Sequence, residues 1–273
     1  MPLDQSVRPT PGGYEIHCGP TMRAGTLGAT ILWSPHGKDR QRIGISNAHV
    51  LPVKGAPVFQ PNQVGYADAR QIGVVAGVCA AVLYETTDAY FLDMENRSDA
   101  RFDFAYFQAL PAETSTRITG GLYTGPMGRL HEWLGIDPAP LEVRAPRRGE
   151  QVRWIGKSTA AVRSGRIVDL DYWGLMRRSR DPDRWVGLAG LVKMELLSGP
   201  TLAGDSGAAL VATTDQRIVG LFCGSTQDEK FGLGSKIPED DIELGETLPV
   251  SDALAMARLT QYEKKPGEVV VVQ

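Results

Sequence analysis

Gly204-Asp205-Ser206-Gly207 is the stretch of this chain whose residue types and spacing best fit a covalent chemistry. Glycines on either side of Asp205-Ser206 open backbone angles closed to other residues. A turn of that kind presents one hydroxyl and the amides of Gly204 and Ser206 to a single point, which is what acyl transfer needs: a nucleophile and an oxyanion hole. The apolar run Ala208 to Ala212 follows, then Ile218-Val219-Gly220-Leu221-Phe222. The same tetrapeptide also makes a plain turn. The serine becomes a nucleophile only if a base lies within reach and a third group orients that base.

The chain has four histidines. His17 and His36 lie in polar or glycine- and proline-containing segments, and His131 sits in Gly128-Arg129-Leu130-His131-Glu132-Trp133. These three read as surface or partly packed imidazoles. His49 differs, because it closes Arg42-Ile43-Gly44-Ile45-Ser46-Asn47-Ala48-His49-Val50-Leu51, a short apolar strand that ends in small residues. For the orienting acid, Asp103 is preferred: Phe102-Asp103-Phe104-Ala105-Tyr106-Phe107 sets one carboxylate in an apolar, aromatic run. Burying that charge is costly unless it is paired. The alternative is a strand-edge aspartate facing solvent, which period-two alternation allows. Asp93, in Phe91-Leu92-Asp93-Met94, is the second candidate.

The order His, Asp, Ser along the chain is that of the chymotrypsin-type enzymes, while the α/β-hydrolases run Ser, acid, His and the subtilisins Asp, His, Ser. No G-x-S-x-G elbow is present. Local motifs carry the same resemblance. "ISNAHVL" resembles the histidine motif of trypsin-like proteins, "DFAYF" their aspartate motif, and "AGDSGAALV" their serine motif; "IVGLFCGS" is similar to the strand that lines the primary specificity pocket. "GTLGATI" and "WIGKSTAAVRSGRIVDL" are similar to elements of bacterial trypsin-like proteins, some of them related to the plant narrow-leaf group. The matches cover about residues 24 to 226.

The resemblance implies an all-β fold of two antiparallel six-stranded β-barrels with a C-terminal helix, and the site in the cleft between the barrels. His49 and Asp103 would come from the first barrel and Ser206 from the second. A chain of 273 residues is long enough for two such barrels, and short β-branched runs bounded by turn residues give the all-β texture. Residues 1 to 23 read as a leader, 24 to 110 as the first barrel, 111 to 150 as the connection, and 151 to 234 as the second barrel. Within the connection, Arg129 to Leu134 reads as a short helix or an extra strand. Leu254, Met256, Ala257, Leu259 and Tyr262 suit an amphipathic helix over 248 to 264, capped by Ser251. The tail 265 to 273, ending Glu268-Val269-Val270-Val271-Val272-Gln273, is strand-like and suited to pair with a barrel edge.

The resemblance further implies a serine endopeptidase that works through an acyl-enzyme on a protein or peptide substrate and requires no cofactor or metal. Scattered histidines, with no H-E-x-x-H or C-x-x-C pair, also give no metal signature. At the position that selects Lys or Arg in trypsin this chain has Pro200, while Cys223, Gly224 and Ser225 would line the pocket wall, so a small or apolar preference is expected. No Ile-Val-Gly-Gly type start precedes Gly25, so Asp205 is expected to find another partner or stay exposed. Regulation would then fall to an activating or inhibitory protein partner, a loop movement or removal of the leader. A protease-fold peptide-binding module without turnover, and an esterase on the same fold, are the alternatives.

The N-terminal residues lack a basic flank followed by an apolar core, and the three cysteines, Cys18, Cys79 and Cys223, are an odd number at irregular spacing. A reduced, cytoplasmic protein without membrane association is expected. A net charge of −3 gives no general reason to bind nucleic acid. The basic residues Arg144 to Arg166 and the acidic residues Glu239 to Glu246 read as solvated faces.

Overall fold

The computed structural model describes residues 3–19, 24–33, 41–61, 69–79, 82–84, 103–119, 142–178, 185–226, 229–237, 259–263 and 269–271. These residues form strands and turns. The first of two sheets is built from β2 (Glu15–Cys18), β3 (Ala24–Thr26), β4 (Ala29–Trp33), β5 (Gln41–Ser46), β6 (Pro57–Gln60), β7 (Arg70–Cys79) and β9 (Phe104–Ala109). They pair in the order β3-β2-β6-β7-β9-β5-β4. The two end strands are separated in sequence only by Leu27 and Gly28. Leu27 donates its amide to the Tyr14 carbonyl on the β2 side, and Gly28 to the Ile45 carbonyl on the β5 side. The sheet therefore rolls round until its ends meet in one bent segment. A small parallel pair, β1 (Thr10–Gly12) with β10 (Thr114–Ile118), lies beside it.

The second sheet contains a closed circuit. β11 (Gln151–Ile155), β12 (Val162–Arg178), β13 (Trp185–Leu196), β16 (Phe231–Ser235), β15 (Ile218–Thr226) and β14 (Ala209–Ala212) pair in that cyclic order, β14 returning to β11. All its pairings are antiparallel. The fold is all-β, as the resemblance implied; this second sheet closes as a six-stranded barrel, whereas the first has seven strands among the described residues. β12 and β13 run beyond the barrel as a long hairpin, flanked by β8 (Val82–Tyr84) and by β17 (Leu259–Glu263). β18 (Val269–Val271) pairs with both β17 and β15.

Two sequence expectations change. Residues 259–263 form β17, not the end of a helix; the rest of the expected helix, 248–258 and 264, lies outside the described residues. The extended edge of β12 offers backbone partners from Gly174 to Arg178, which set those residues in a ladder. The segment expected to be a leader supplies β2, all four of whose residues are buried in the first sheet. The possible element at Arg129 to Leu134, Asp93, His36, His131 and the acidic stretch after Glu239 also lie outside the described residues.

Side-chain alternation divides the interior formed by the described residues into separate clusters. Along β14, Leu210 and Ala212 point into the second barrel with Val152, Trp154, Met194 and Phe222, whereas Ala209 and Val211 face the seam between the sheets with Ile31, Ile43, Ile45 and Phe104. Trp154 stacks on Phe222 with ring centroids 5.4 Å apart, an offset geometry that aromatic pairs favour. The first sheet packs round Phe107, with Val58, Ile72, Val75 and Leu51. Gly44 and Gly73 make room for that ring: a β-carbon at either would collide with it.

Phe107 thus fills a slot that the flanking strands leave by lacking side chains. Phe107→Ala should lower the unfolding free energy by about 3–5 kcal/mol, read from urea denaturation. A change under about 1 kcal/mol would mean that this core does not hold the first sheet closed.

Candidate active site

β5 ends at Ser46, and the chain then turns tightly, with Val50 and Leu51 both donating their amides to the Asn47 carbonyl. His49 sits in this turn, 8% exposed. Asp103 directly precedes β9, the neighbour of β5 in the sheet, and is 0% exposed. Its carboxylate is held at two points by one residue. The His49 backbone N–H donates to Oδ1 at 3.0 Å, and the ring Nδ1–H donates to Oδ2 at 2.6 Å. Asn47 Nδ2 donates to the Asp103 carbonyl at 2.7 Å, so both ends of the turn are fastened to this residue. With Nδ1 committed as a donor, the opposite nitrogen, Nε2, is left as the basic one.

Ser206 lies in the turn ahead of β14 and is 2% exposed. The Gly207 amide donates to the Phe222 carbonyl at 2.8 Å and Phe222 returns a bond to the Ala208 carbonyl at 2.7 Å, pinning the turn against β15. Gly204 and Gly207 both have positive φ, +99° and +98°. At Gly207 a β-carbon would overlap Ser46 Oγ and the Thr26 carbonyl, so only glycine permits this approach to the first barrel. Ser206 Oγ donates to the Cys223 carbonyl at 3.2 Å.

Thr26 stitches the serine turn to the first barrel. Its amide donates to the Ser206 carbonyl at 2.8 Å, its hydroxyl donates to the Gly204 carbonyl at 2.8 Å, and that hydroxyl accepts the Lys157 amide at 3.0 Å. Asp103 reaches the second barrel in turn, since its amide donates to Ser235 Oγ on β16 at 2.9 Å. The structure therefore brings His49 to Asp103, Ser206 to Cys223, and both pairs to one seam. Of the expected pocket residues, Cys223, Gly224 and Ser225 lie buried on β15, while Pro200 is exposed beside the buried Thr201. The Ser225 hydroxyl has no hydrogen-bond partner among the described residues. Cys223 is a free thiol, pushed well above its ordinary pKa by burial and by the Asp103 charge.

Of the two outcomes expected for Asp205, another partner or exposure, the structure shows the first. It is 0% exposed, and its carboxylate accepts from the amides of Ser158 at 3.1 Å, Thr159 at 3.0 Å and Leu202 at 3.0 Å, and from the Thr159 hydroxyl. A cluster of amides and a hydroxyl thus does the work of a cation. Sequence reasoning missed Thr26, Asn47, Ser158, Thr159 and Ser235, all of which act from far along the chain. His17, read as a surface or partly packed imidazole, is buried in β2 at 1% exposure, and burial lowers its pKa. Among the described residues, no group of three His, Cys, Asp or Glu side chains is placed to hold a metal ion.

No protein-family model matches the chain, and no curated protein matches it in sequence. Among solved structures it is similar to Thermobifida fusca protease A, with 17% identity over 83% of this chain and 90% of the other and a TM-score of 0.49. It is also similar to a glutamic acid specific serine protease, with 15% identity over 92% and 99% and a TM-score of 0.49. A third likeness is to Cellulomonas bogoriensis chymotrypsin, with 15% identity over 83% and 90% and a TM-score of 0.48.

Removing the buried Asp205 carboxylate takes the acceptor from three part-buried amides, so Asp205→Ala should cost roughly 3 kcal/mol of stability in urea denaturation. Retained full stability would show that water replaces the carboxylate. The raised Cys223 pKa predicts that iodoacetamide at pH 8 leaves this thiol unmodified in the native protein and alkylates it in urea, as read by peptide mass spectrometry. Native-state alkylation would show that the seam opens.

Proposed function

We propose that this protein is a serine endopeptidase acting through His49, Asp103 and Ser206. The two-point hold of the Asp103 carboxylate on His49 carries the reading. A buried carboxylate can draw its donors from unrelated groups, as Asp205 does. Asp103 instead fixes the backbone and the ring of the same residue, which sets the tautomer and aims Nε2 away from Asp103.

In the proposed mechanism Ser206 Oγ attacks a peptide carbonyl while His49 Nε2 takes the hydroxyl proton. Asp103 stabilises the resulting imidazolium without taking a proton itself. The oxyanion is held by the amides of Gly204 and Ser206. His49 then gives the proton to the leaving amine, which departs and leaves an acyl-Ser206 ester. Water, deprotonated by His49, hydrolyses that ester and regenerates the hydroxyl. Before substrate arrives, the Ser206 hydroxyl donates to the Cys223 carbonyl at 3.2 Å. The buried positions of Cys18 and Cys223 fit a reducing, cytoplasmic setting.

A fluorophosphonate probe tests the chemistry. The wild-type chain should be labelled at Ser206, Ser206→Ala and His49→Ala should abolish labelling, and Asp103→Asn should slow it by about 10³–10⁴-fold. A folded wild type that stays unlabelled at any probe concentration would favour a peptide-binding module instead. Turnover of esters but not of peptide amides would favour an esterase.

A further inference from the structure

β15 presents two edges. One pairs with β16 from Leu221 to Ser225. The other is shared end to end: β14 takes Ile218 to Leu221, Phe222 bonds to Gly207 and Ala208, and β18 takes Ser225 and Thr226. Between these partners lie Cys223 and Gly224, and the Cys223 carbonyl is the group that holds Ser206 Oγ. The chain's own C-terminal strand therefore lies on the same edge as the reactive hydroxyl, immediately beyond it.

Direction matters as much as place. The pairing is antiparallel, with Val270 opposite Thr226 and Val271 opposite Ser225, so β18 runs toward Cys223 and Ser206. A peptide attacked by a serine presents the residues on the amino side of its scissile carbonyl, running toward that serine. β18 has the polarity of such an acyl-side segment. It also has the composition, since consecutive valines favour an extended strand, and strand addition to a sheet edge is a general way to bind peptides. On its far edge β18 is held by β17, which is itself laddered to β12. The segment is thus delivered by a hairpin fastened to the barrel, at an effective concentration on the order of millimolar.

We propose that β18 is the chain's own occupant of the peptide-binding edge of β15, that it restrains the hydrolase in cis, and that it displays the class of peptide the site accepts: an extended, β-branched, apolar strand. This rests on the endopeptidase reading. A peptide in the β18 register needs two residues beyond the position of Val271 to come opposite Cys223. A free peptide copied from residues 268 to 273, Glu-Val-Val-Val-Val-Gln, then sets its glutamine there and its carbonyl against Ser206.

The test compares the full chain with one ending at Gly267, and with full-length Val270→Pro, which removes a ladder amide should the shorter chain fail to fold. Both variants should react with the fluorophosphonate probe faster than the full chain by roughly tenfold or more, the factor expected when the open form is a tenth of the population or less. The amidated peptide Glu-Val-Val-Val-Val-Gln at millimolar concentration should slow the opened variants competitively, and the reversed sequence should not. The aminomethylcoumarin amide of the same peptide should be cleaved after glutamine. Equal labelling rates in the full chain and in a folded opened variant would overturn the proposal and leave the endopeptidase reading intact. Peptides of forward and reversed sequence acting alike would overturn the substrate class. If neither form is labelled at all, the endopeptidase reading fails, and this proposal with it.

Discussion

A buried carboxylate must be given donors, and at this seam two of them, Asp103 and Asp205, dictate where the surrounding loops go. Each is wholly removed from solvent, a state that is expensive for an unpaired charge. Asp103 is met by the ring and backbone of His49, which obliges the chain after β5 to curl back on the start of β9. Asp205 is met by the turn after β11 and by Leu202, which obliges the serine turn to lie flat on the second barrel. Displacing either loop would strand a charge. Both buried carboxylates are satisfied in this arrangement, which holds the loops that supply their donors.

The joint between the barrels follows from the same accounting. Thr26 uses its amide and both capacities of its hydroxyl to tie the serine turn and the Lys157 loop to the first sheet. Nearby, Glu15 on β2 is buried and pairs with Lys157 at 2.6 Å. Neither contact supplies much energy alone, since a hydrogen bond nets about 1 kcal/mol. Their value is in register: they set the histidine turn and the serine turn at fixed positions on one seam, where the apolar cluster of Ile31, Ile43, Ile45, Phe104, Val211 and Leu221 supplies the cohesion.

This division explains what could be read from the sequence. The all-β fold was legible through the motif resemblance, with which short β-branched runs broken by glycine, proline and asparagine agree. Candidate groups at His49, Asp103 and Ser206 stood out because each polar residue interrupts an apolar or small-residue context. Their supports did not stand out. Thr159 is 46 residues from Asp205 and Ser235 is 132 from Asp103, and nothing in either local sequence marks it for that role. β2 was misread because Glu15-Ile16-His17-Cys18 looks half polar; burial of its glutamate depends on a lysine 142 residues away. The helix ending at residue 264 was misread for a related reason. Leu259 and Tyr262 stand three residues apart, as on a helix, and a ready partner on β12 overrides that spacing.

That partner exists because β12 and β13 are longer than the barrel needs. A protruding hairpin exposes a row of unpaired backbone groups, an edge that proteins cover or blunt. Here β17 covers the β12 side and β8 the β13 side, while β18 carries the ladder from β17 across to β15. The strands β12, β17, β18, β15, β16 and β13 thus make a second closed circuit that shares four members with the first. The solution to this edge problem brings a valine strand onto β15, the strand whose Cys223 carbonyl accepts from Ser206. A sheet that needed only to hide its edge would be served by β17 alone. Continuing to β15 joins the stability of the long hairpin to access at Ser206, so an event that frees the hairpin's edge also frees the strand beside the serine.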